Sequence, residues 1–419
     1  MLAELQYREK SGAPIQVGLI GAGAMGLGIA WQIARTPGME LSFVADLNIK
    51  AAEKAQEVYG KPVKLFTNAD EALEDSSVKL DVLVESSNSI GAATRYCLKA
   101  IQRKAHVVLM NAEVDLVMGP YLQNEADKHG VVVTSDAGDQ HGVLMRMIEE
   151  IQMWGFDIMQ AGNIKGFLDR YATSDSKREI AKKLNLNLIQ CVAYTDGTKL
   201  NIEMALIANG AGLTPFTPGM EGPKAAQVTE ALDLFNFDAY QDQGRVDYIL
   251  GAEPGGGVYV VGRCDDRFQA DYMKYYKVHS RYPYYLFYRP YHLCHLETPR
   301  AIALAALWGK AVLKPTHGLL TDVYARAKQP LKSDGIIAHG IGGDEVYGLI
   351  QESRDANAQG YLPIGLLDTE SGADKPRLKR ALEKDEPIRW EDVEMPESSL
   401  LTLFKQQQEL LKKKETVAS

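Results

Sequence analysis

The stretch Gln16-Val-Gly-Leu-Ile-Gly-Ala-Gly-Ala-Met-Gly-Leu-Gly-Ile-Ala-Trp31 decides the fold of this chain. Its apolar run, Val17 to Ile20, reads as a short buried strand. The spacing Gly21-x-Gly23-x-x-Gly26 follows at once, and a helical pattern continues through Gln32 to Arg35. Gly21 suits the tight turn out of the strand, Gly23 lets a pyrophosphate approach the backbone, and Gly26 lets the helix pack closely on the sheet. The amides of Ala24, Met25 and Gly26 open that helix, where free N–H groups and the helix dipole favour phosphate. A second apolar strand, Leu41 to Ala45, ends on Asp46, a carboxylate placed to accept hydrogen bonds from a ribose diol. Strand, turn, helix, second strand and acid together predict a dinucleotide site.

Working outward, residues 15 to about 150 alternate between strand and helix patterns. Strands are expected at Val17–Ile20, Leu41–Ala45, Val63–Phe66, Val82–Glu85, Val107–Met110 and Val131–Thr134. Helical patterns lie between them, as at Ile29–Arg35, Ala51–Tyr59 and Ala92–Arg103. This alternation predicts an α/β fold with a Rossmann-type, doubly wound parallel sheet. In such sheets the ligand lies beyond the carboxyl ends of the strands. Asp46, Glu85-Ser-Ser-Asn88, Asn111-Ala-Glu113 and Ser135-Asp-Ala-Gly138 are therefore expected to face one crevice. Ser86, Ser87, Asn111 and Glu113 become candidates for the cofactor's nicotinamide end.

A chain of 419 residues is long enough for two or three domains and a large core. Its net charge is −9, and no basic stretch is interleaved with aromatics, which argues against nucleic acid as a partner. No apolar run approaches the length of a membrane span, and the N-terminus lacks a signal-peptide pattern, so neither membrane nor export is expected. Cys97, Cys191, Cys264 and Cys294 lie far apart without a C-x-x-C, which favours reduced thiols and a cytoplasmic setting.

The texture changes after residue 153. Residues 154–328 mix strands (Gly155–Gln160; Val258–Gly262 after Pro254-Gly-Gly-Gly257) with a helix over Lys199–Asn209, and read as an α+β catalytic and dimerisation domain. The tyrosines at 272, 275, 276, 282, 284, 285 and 288 suggest core or dimer packing. The helical pattern Glu297–Leu313 is expected to return to the first domain. Residues 329–399, with glycine-punctuated pieces at Gly335–Asp344, Val346–Gly348 and Tyr361–Leu366, read as a small β domain. Residues 400–419 read as a solvated helical tail ending in Lys412-Lys-Lys414.

Several of these segments resemble the homoserine-dehydrogenase-like oxidoreductases with a C-terminal SAF-type domain, a set that includes deoxyxylulose-phosphate reductoisomerase-like enzymes. The resemblance rests on Gly18-Leu-Ile-Gly-Ala-Gly23, Asn111-Ala-Glu-Val-Asp115, Thr134-Ser-Asp-Ala-Gly138, Tyr288-Arg-Pro-Tyr-His-Leu293 with Glu297, and Leu362-Pro-Ile-Gly-Leu366 followed by Leu378-Lys-Arg380. Ile388-Arg-Trp-Glu-Asp-Val393 is similar to the closing strand-turn of SAF modules. The resemblance implies an NAD(P)-dependent oxidoreductase, a homodimer, a small-molecule substrate and a SAF-like β domain at residues 329–399. It implies NADPH, whereas Asp46 argues for NAD because a carboxylate repels a 2′-phosphate. Lys50 is the nearest cation.

Hydride transfer to a carbonyl needs a group that protonates the developing alkoxide. Asp196-Gly-Thr-Lys199-Leu-Asn-Ile-Glu203 opens an apolar helix, with Lys199 and Glu203 on one face and Asp196 at the start, where it can cap free N–H groups. Homoserine dehydrogenases place a catalytic lysine shortly after an aspartate ahead of such a helix. The resemblance therefore makes Lys199 the proton donor or acceptor, with Asp196 and Glu203 beside it. Lys165, flanked by glycines in Gly162-Asn-Ile-Lys-Gly166, is the second candidate and is expected on a loop that reaches a ligand.

The chain departs from homoserine dehydrogenases in having Asn111-Ala112-Glu113 where they carry Asn-Lys. Glu113 favours a hydroxyl-rich substrate instead. In Arg289-Pro-Tyr-His292-Leu-Cys-His295-Leu-Glu297, three readings stand open: a His-x-x-His metal site, an anion-holding Arg289 and His292, or a hydrogen-bond knot. Arg289, His292 and Glu297 are carried forward as substrate-binding residues, with no metal expected. The sharpest expectation is reduction of a sugar phosphate in a reductoisomerase-like reaction. A homoserine-type or carbohydrate dehydrogenase and a non-catalytic dinucleotide-responsive protein are the alternatives.

Overall fold

The computed structural model describes residues 1–183, 187–370 and 372–418. The chain forms two compact units. The first comprises Met1–Gly142, Leu293–Lys314 and the residues from Ser398 onward; the second comprises Val143–His292 and Pro315–Glu397.

The first unit is built on six parallel strands, β1 (Ile15–Ile20), β2 (Met39–Ala45), β3 (Lys64–Phe66), β4 (Val82–Glu85), β5 (His106–Leu109) and β6 (Val133–Ser135). Their order is β3-β2-β1-β4-β5-β6, and every adjacent pair is parallel. The strand order reverses at β1 and β4, which makes the crevice beyond their carboxyl ends the ligand-binding place of a doubly wound sheet. All six strands fall where the apolar runs predicted them. The runs buried on both faces lack a period-2 pattern because helices cover each face. Gly18 sits inside β1 for a steric reason: a Cβ there would lie 2.3 Å from the Phe43 ring of β2.

The helix Cys294–Trp308 belongs to this unit, as the sequence suggested, and packs on the helix Ala24–Ile33. Gly28 makes that contact possible, since a Cβ would come within 2.5 Å of the His295 ring. The C-terminal helix Ser399–Ala418 is not merely solvated. Leu400, Phe404 and Gln407 are buried, and the helix packs on Ala112–His129. The Gln407 carboxamide accepts from Tyr121 N at 2.8 Å and donates to the Val117 carbonyl at 2.8 Å. Those two backbone groups are the pair that an α-helix joins by its own i to i−4 bond, one residue after Pro120. The Lys414 side chain lies outside the described residues.

The second unit holds a mixed sheet of β7 (Asp157–Lys165), β8 (Thr214–Pro215), β9 (Arg245–Leu250), β10 (Val258–Arg263), β11 (His279–Arg281) and β12 (Tyr284–Arg289), in the order β11-β12-β10-β7-β9-β8. Lys165 is thereby moved from the expected loop to the last residue of β7, an interior strand. Gly162, taken as a sign of a loop, is instead a packing glycine. A Cβ there would meet the Tyr259 ring at 2.1 Å. In the tyrosine-rich segment Tyr285 is buried in the core, while Tyr272, Tyr275, Tyr276, Tyr282 and Tyr288 are exposed in the single chain, so these five are not core residues. They lie on the helix Arg267–Tyr275, which buries no residue, and along the edge hairpin β11–β12.

Residues 315–397 form short β pairings within the same unit. The longest joins Thr321–Ala327 to Val346–Glu352 and begins ahead of residue 329. Arg377–Leu378 pairs with Val393–Glu394.

Candidate active site

The glycine turn is built from the backbone outward. Gly21 has φ +89°, and a Cβ there would strike the Ser86 carbonyl at 2.6 Å. A Cβ at Gly26 would lie 1.9 Å from the Gly21 carbonyl oxygen, so the helix sits directly against the turn. Gly23 is different: a Cβ would meet nothing within 4 Å, and the space over it is open. The first bond of the helix runs from Leu27 N to Gly23 O at 2.8 Å. The amides of Ala24, Met25 and Gly26 therefore have no partner inside the helix and aim their N–H groups outward. A pyrophosphate fits this cradle. Asp46 is folded back over it, accepting from Ala22 N at 2.7 Å and from Asn48 N at 2.8 Å. Two backbone donors hold the carboxylate in place at the end of β2.

The other residues assigned to the cofactor frame the crevice instead of reaching into it. Ser86 Oγ lies 2.9 Å from Ile20 O and 2.8 Å from Gly21 O, bracing the turn from beneath. Ser87 donates its amide to Glu85 Oε1 at 3.0 Å. Asn111 caps the helix Ala112–His129 by accepting from Val114 N and donates to Ser89 O at 3.0 Å. Glu113, in the first turn of that helix, is buried.

Sequence reasoning gave no role to the carboxyls at the ends of β4 and β6. Glu85 is fully buried, and burial raises its carboxyl to about 7. Asp115, bonded to the Ser135 hydroxyl, and Asp136, which accepts from Gly138 N at 2.6 Å, are raised to about 7 by the same cause. Glu85 and Asp136 were marked in the sequence by their place at strand ends, and Asp115 and Asp136 by the stretches Asn111–Asp115 and Thr134–Gly138 that carried the resemblance.

In the second unit Lys165, Lys177 and Lys328 are buried, and the two deepest, Lys165 and Lys328, are treated in opposite ways. Lys328 donates to Ala172 O at 2.9 Å, Asp196 Oδ2 at 2.9 Å and Gly343 O at 2.7 Å. All three donors of its ammonium are engaged. Asp196 is thus committed: Oδ2 to Lys328, and Oδ1 to Thr198 N at 2.8 Å, which caps the helix Thr198–Ala211. Burial raises the Asp196 carboxyl above its usual range, against the pull of the Lys328 ammonium. Nothing in the sequence links residues 132 apart, so Lys328 was not foreseen.

Lys165 is only 3% exposed, yet its Nζ has no hydrogen-bond acceptor among the described residues. It lies 4.4 Å from the centroid of the Tyr194 ring. Tyr194 is on the helix Leu188–Thr195, just ahead of Asp196. Lys199 donates to Gln190 Oε1 at 2.9 Å from the first turn of the next helix, which packs on β7, and Glu203 is buried one turn further on. The structure therefore places Lys165 and Lys199 against the same helix, Leu188–Thr195, and assigns Asp196 to the frame. Arg289 ends β12, with its guanidinium 4.7 Å from the Tyr291 ring centroid. His292 belongs to the same unit, whereas His295 and Glu297 belong to the first.

Comparison with known proteins accords with this division. Residues 21–135 match the family model of the homoserine dehydrogenase NAD-binding domain, and residues 138–298 match that of the catalytic domain of oxidoreductase DRL. The homoserine dehydrogenase of Synechocystis sp. is 26% identical over 133 residues, 31% of this chain and 30% of that protein. The enzyme of Bacillus subtilis is 27% identical over 144 residues, 32% of this chain and 33% of that protein. The chain thus spans about a third of the length of these curated relatives. Among solved structures, myo-inositol dehydrogenase from Lactobacillus casei, in complex with NAD(H) and myo-inositol, shares 17% identity over 59% of this chain and 71% of its own, with a TM-score of 0.40. The matches to the two family models lie on the two parts of the fold that carry the glycine turn and the buried lysine. The two domain matches, with the homoserine dehydrogenase relatives, support a homoserine-dehydrogenase-like NAD(P) oxidoreductase.

Proposed function

We propose that the protein reduces or oxidises a small, oxygen-rich carbonyl or hydroxyl compound with NAD(P), with a sugar phosphate in a reductoisomerase-like reaction as the sharpest form. The observation that carries the reading is the cradle at Gly21–Gly26: an open space over Gly23, three helix-start amides without intrahelical partners, and a fixed carboxylate at Asp46. The amides of Ala24, Met25 and Gly26 bind the pyrophosphate, and Asp46 accepts from the ribose hydroxyls. When bound, the dinucleotide supplies or takes up the hydride.

Lys165 moves the proton. In reduction its Nζ donates to the developing alkoxide oxygen, leaving a neutral amine; in oxidation the amine takes the proton back. With no acceptor among the described residues, its three N–H groups are left for the substrate oxygen. Lys199 and Glu203 orient the substrate's other oxygens. This exchanges the roles that the resemblance implied for Lys199 and Lys165, because Lys199 already donates to Gln190.

The test is a titration of the purified chain with NADH and NADPH, followed by energy transfer from its tryptophans. Binding in the micromolar range is expected, with NADH the tighter because Asp46 is held by two amides and cannot swing away from a 2′-phosphate. Gly26→Ala drives a methyl into the Gly21 carbonyl and is expected to weaken binding by more than about tenfold, or about 1.4 kcal/mol. A folded protein that binds neither nucleotide rules the reading out.

A further inference from the structure

Two buried lysines in one unit show what distinguishes a structural ammonium from one held in readiness. The ammonium of Lys328 meets three oxygens and is finished. The ammonium of Lys165 is as deeply placed, at 3% exposure for each residue, and meets none among the described residues. A buried cation without compensation is strongly unfavourable, so something must hold the charge. The group found at that position is the face of Tyr194, 4.4 Å from Nζ to ring centroid. A ring face attracts a cation through its quadrupole and does so without occupying an N–H in a directed hydrogen bond.

The ring is well placed to act this way. Tyr194 lies in the last turn of the helix Leu188–Thr195. That end of the helix is pinned on both sides. Asp169 N donates to Thr195 O at 2.8 Å, the Thr195 hydroxyl donates to Cys191 O at 2.7 Å, and Asp196 follows with its bonds to Lys328 and Thr198. Tyr194 itself is 56% exposed, so the ring lies at the surface over the lysine beneath. An acidic neighbour would have held the charge more firmly, but would have tied up the donors.

We infer that Tyr194 is a positioning residue for Lys165: its ring face keeps the ammonium charged and shielded from water while leaving all three N–H groups free for a substrate oxygen. The inference rests on the reading of Lys165 as the proton-transfer group. It requires the face of the ring and not its hydroxyl. The ionisable groups on the elements packed against β7 are Lys199 and Glu203 on Thr198–Ala211, Arg245, Asp247 and Tyr248 on β9, and Tyr259 and Arg263 on β10. None of these is altered by changing Tyr194.

The experiment labels the full chain with limiting acetic anhydride across a pH series, reading acylation of Lys165 by mass spectrometry against the exposed Lys54. It compares the wild type with Tyr194→Phe, Tyr194→Trp and Tyr194→Leu, each checked by thermal melting. In Tyr194→Leu, Lys165 is expected to acylate about tenfold faster, the scale of a lost desolvated cation–π contact. Phe and Trp keep a ring face and are expected to label like the wild type. Unchanged labelling in Tyr194→Leu overturns the inference, as does a Tyr194→Phe variant that behaves like Leu. Should the Leu variant not fold, Phe and Trp still decide, since faster labelling in both would show that the ring face is not what protects the lysine. No nucleotide or substrate is present, so a failure here is distinct from a failure of the dinucleotide titration.

Discussion

At the scale of the residue, the deciding contrast is between Lys165 and Lys199. Both were legible as candidates, but their ranking was not. Sequence spacing placed Lys199 behind a helix-capping aspartate, and the helix and cap are there. The spacing could not show that Asp196 is committed to a lysine far along the chain, or that Gly162 marks a crowded strand and not a loop. Lys165→Met keeps the length and apolar stem of the side chain and removes the transferable proton. We expect turnover to fall by about 10²–10⁴, the usual weight of a positioned acid–base group, with NADH affinity unchanged. Lys199→Met is expected to raise KM more than it lowers kcat. Steady-state kinetics on both variants, with screened sugar phosphates and aldehydes, checks the pair. A reversed pattern would return the proton-transfer role to Lys199.

At the scale of the element, the helix Ala112–His129 begins beside the crevice at Asn111 and carries a proline in its interior. A proline has no N–H to give, so one rung of the ladder is absent. The Gln407 carboxamide bridges the next pair, Tyr121 N and Val117 O, and so anchors the C-terminal helix. Truncating it to alanine removes both bonds and leaves a void at a fully buried position. Gln407→Ala is expected to cost about 1–3 kcal/mol. For a unit of this size each 1 kcal/mol lowers the melting temperature by roughly 2–4 °C. A calorimetric scan with no shift would show that the bridge contributes nothing. The amphipathic pattern of the tail was visible in the sequence, but its partner was not, because a single glutamine carries no signal of the backbone gap it fills.

At the scale of the whole molecule, the chain buries five carboxyls raised to about 7 by loss of water: Glu85, Asp115, Asp136, Asp247 and Asp322. Each has a folded-state value above its unfolded one. The stability each contributes is complete below the ordinary carboxyl range and is lost as pH rises through about 7. The half-buried Asp75, lowered to about 2 chiefly by its bond from the Ser77 hydroxyl, acts in the opposite sense, but only in strong acid. The melting temperature is therefore expected to fall by several degrees between about pH 5.5 and about pH 8, and Glu85→Gln or Asp115→Asn to flatten the decline. A melting temperature that stays flat over that interval would show that these groups are already ionised in the folded state.

The sequence by itself determined the parallel sheet, its strand positions, the glycine turn and the acid at the end of the second strand. These depend on local periodicity and on which residues tolerate a tight turn, and both are properties of short stretches. It also determined the return of Cys294–Trp308 to the first unit, whose apolar helical face is continuous. Tertiary structure alone decided which polar groups remain free to act. Ser86 and Asn111 became braces, Asp196 became the partner of Lys328, and Lys165 was left over a ring with no acceptor among the described residues. The reason is that a side chain's availability is set by the groups that surround it in space, and those come from strands and helices far apart in the chain.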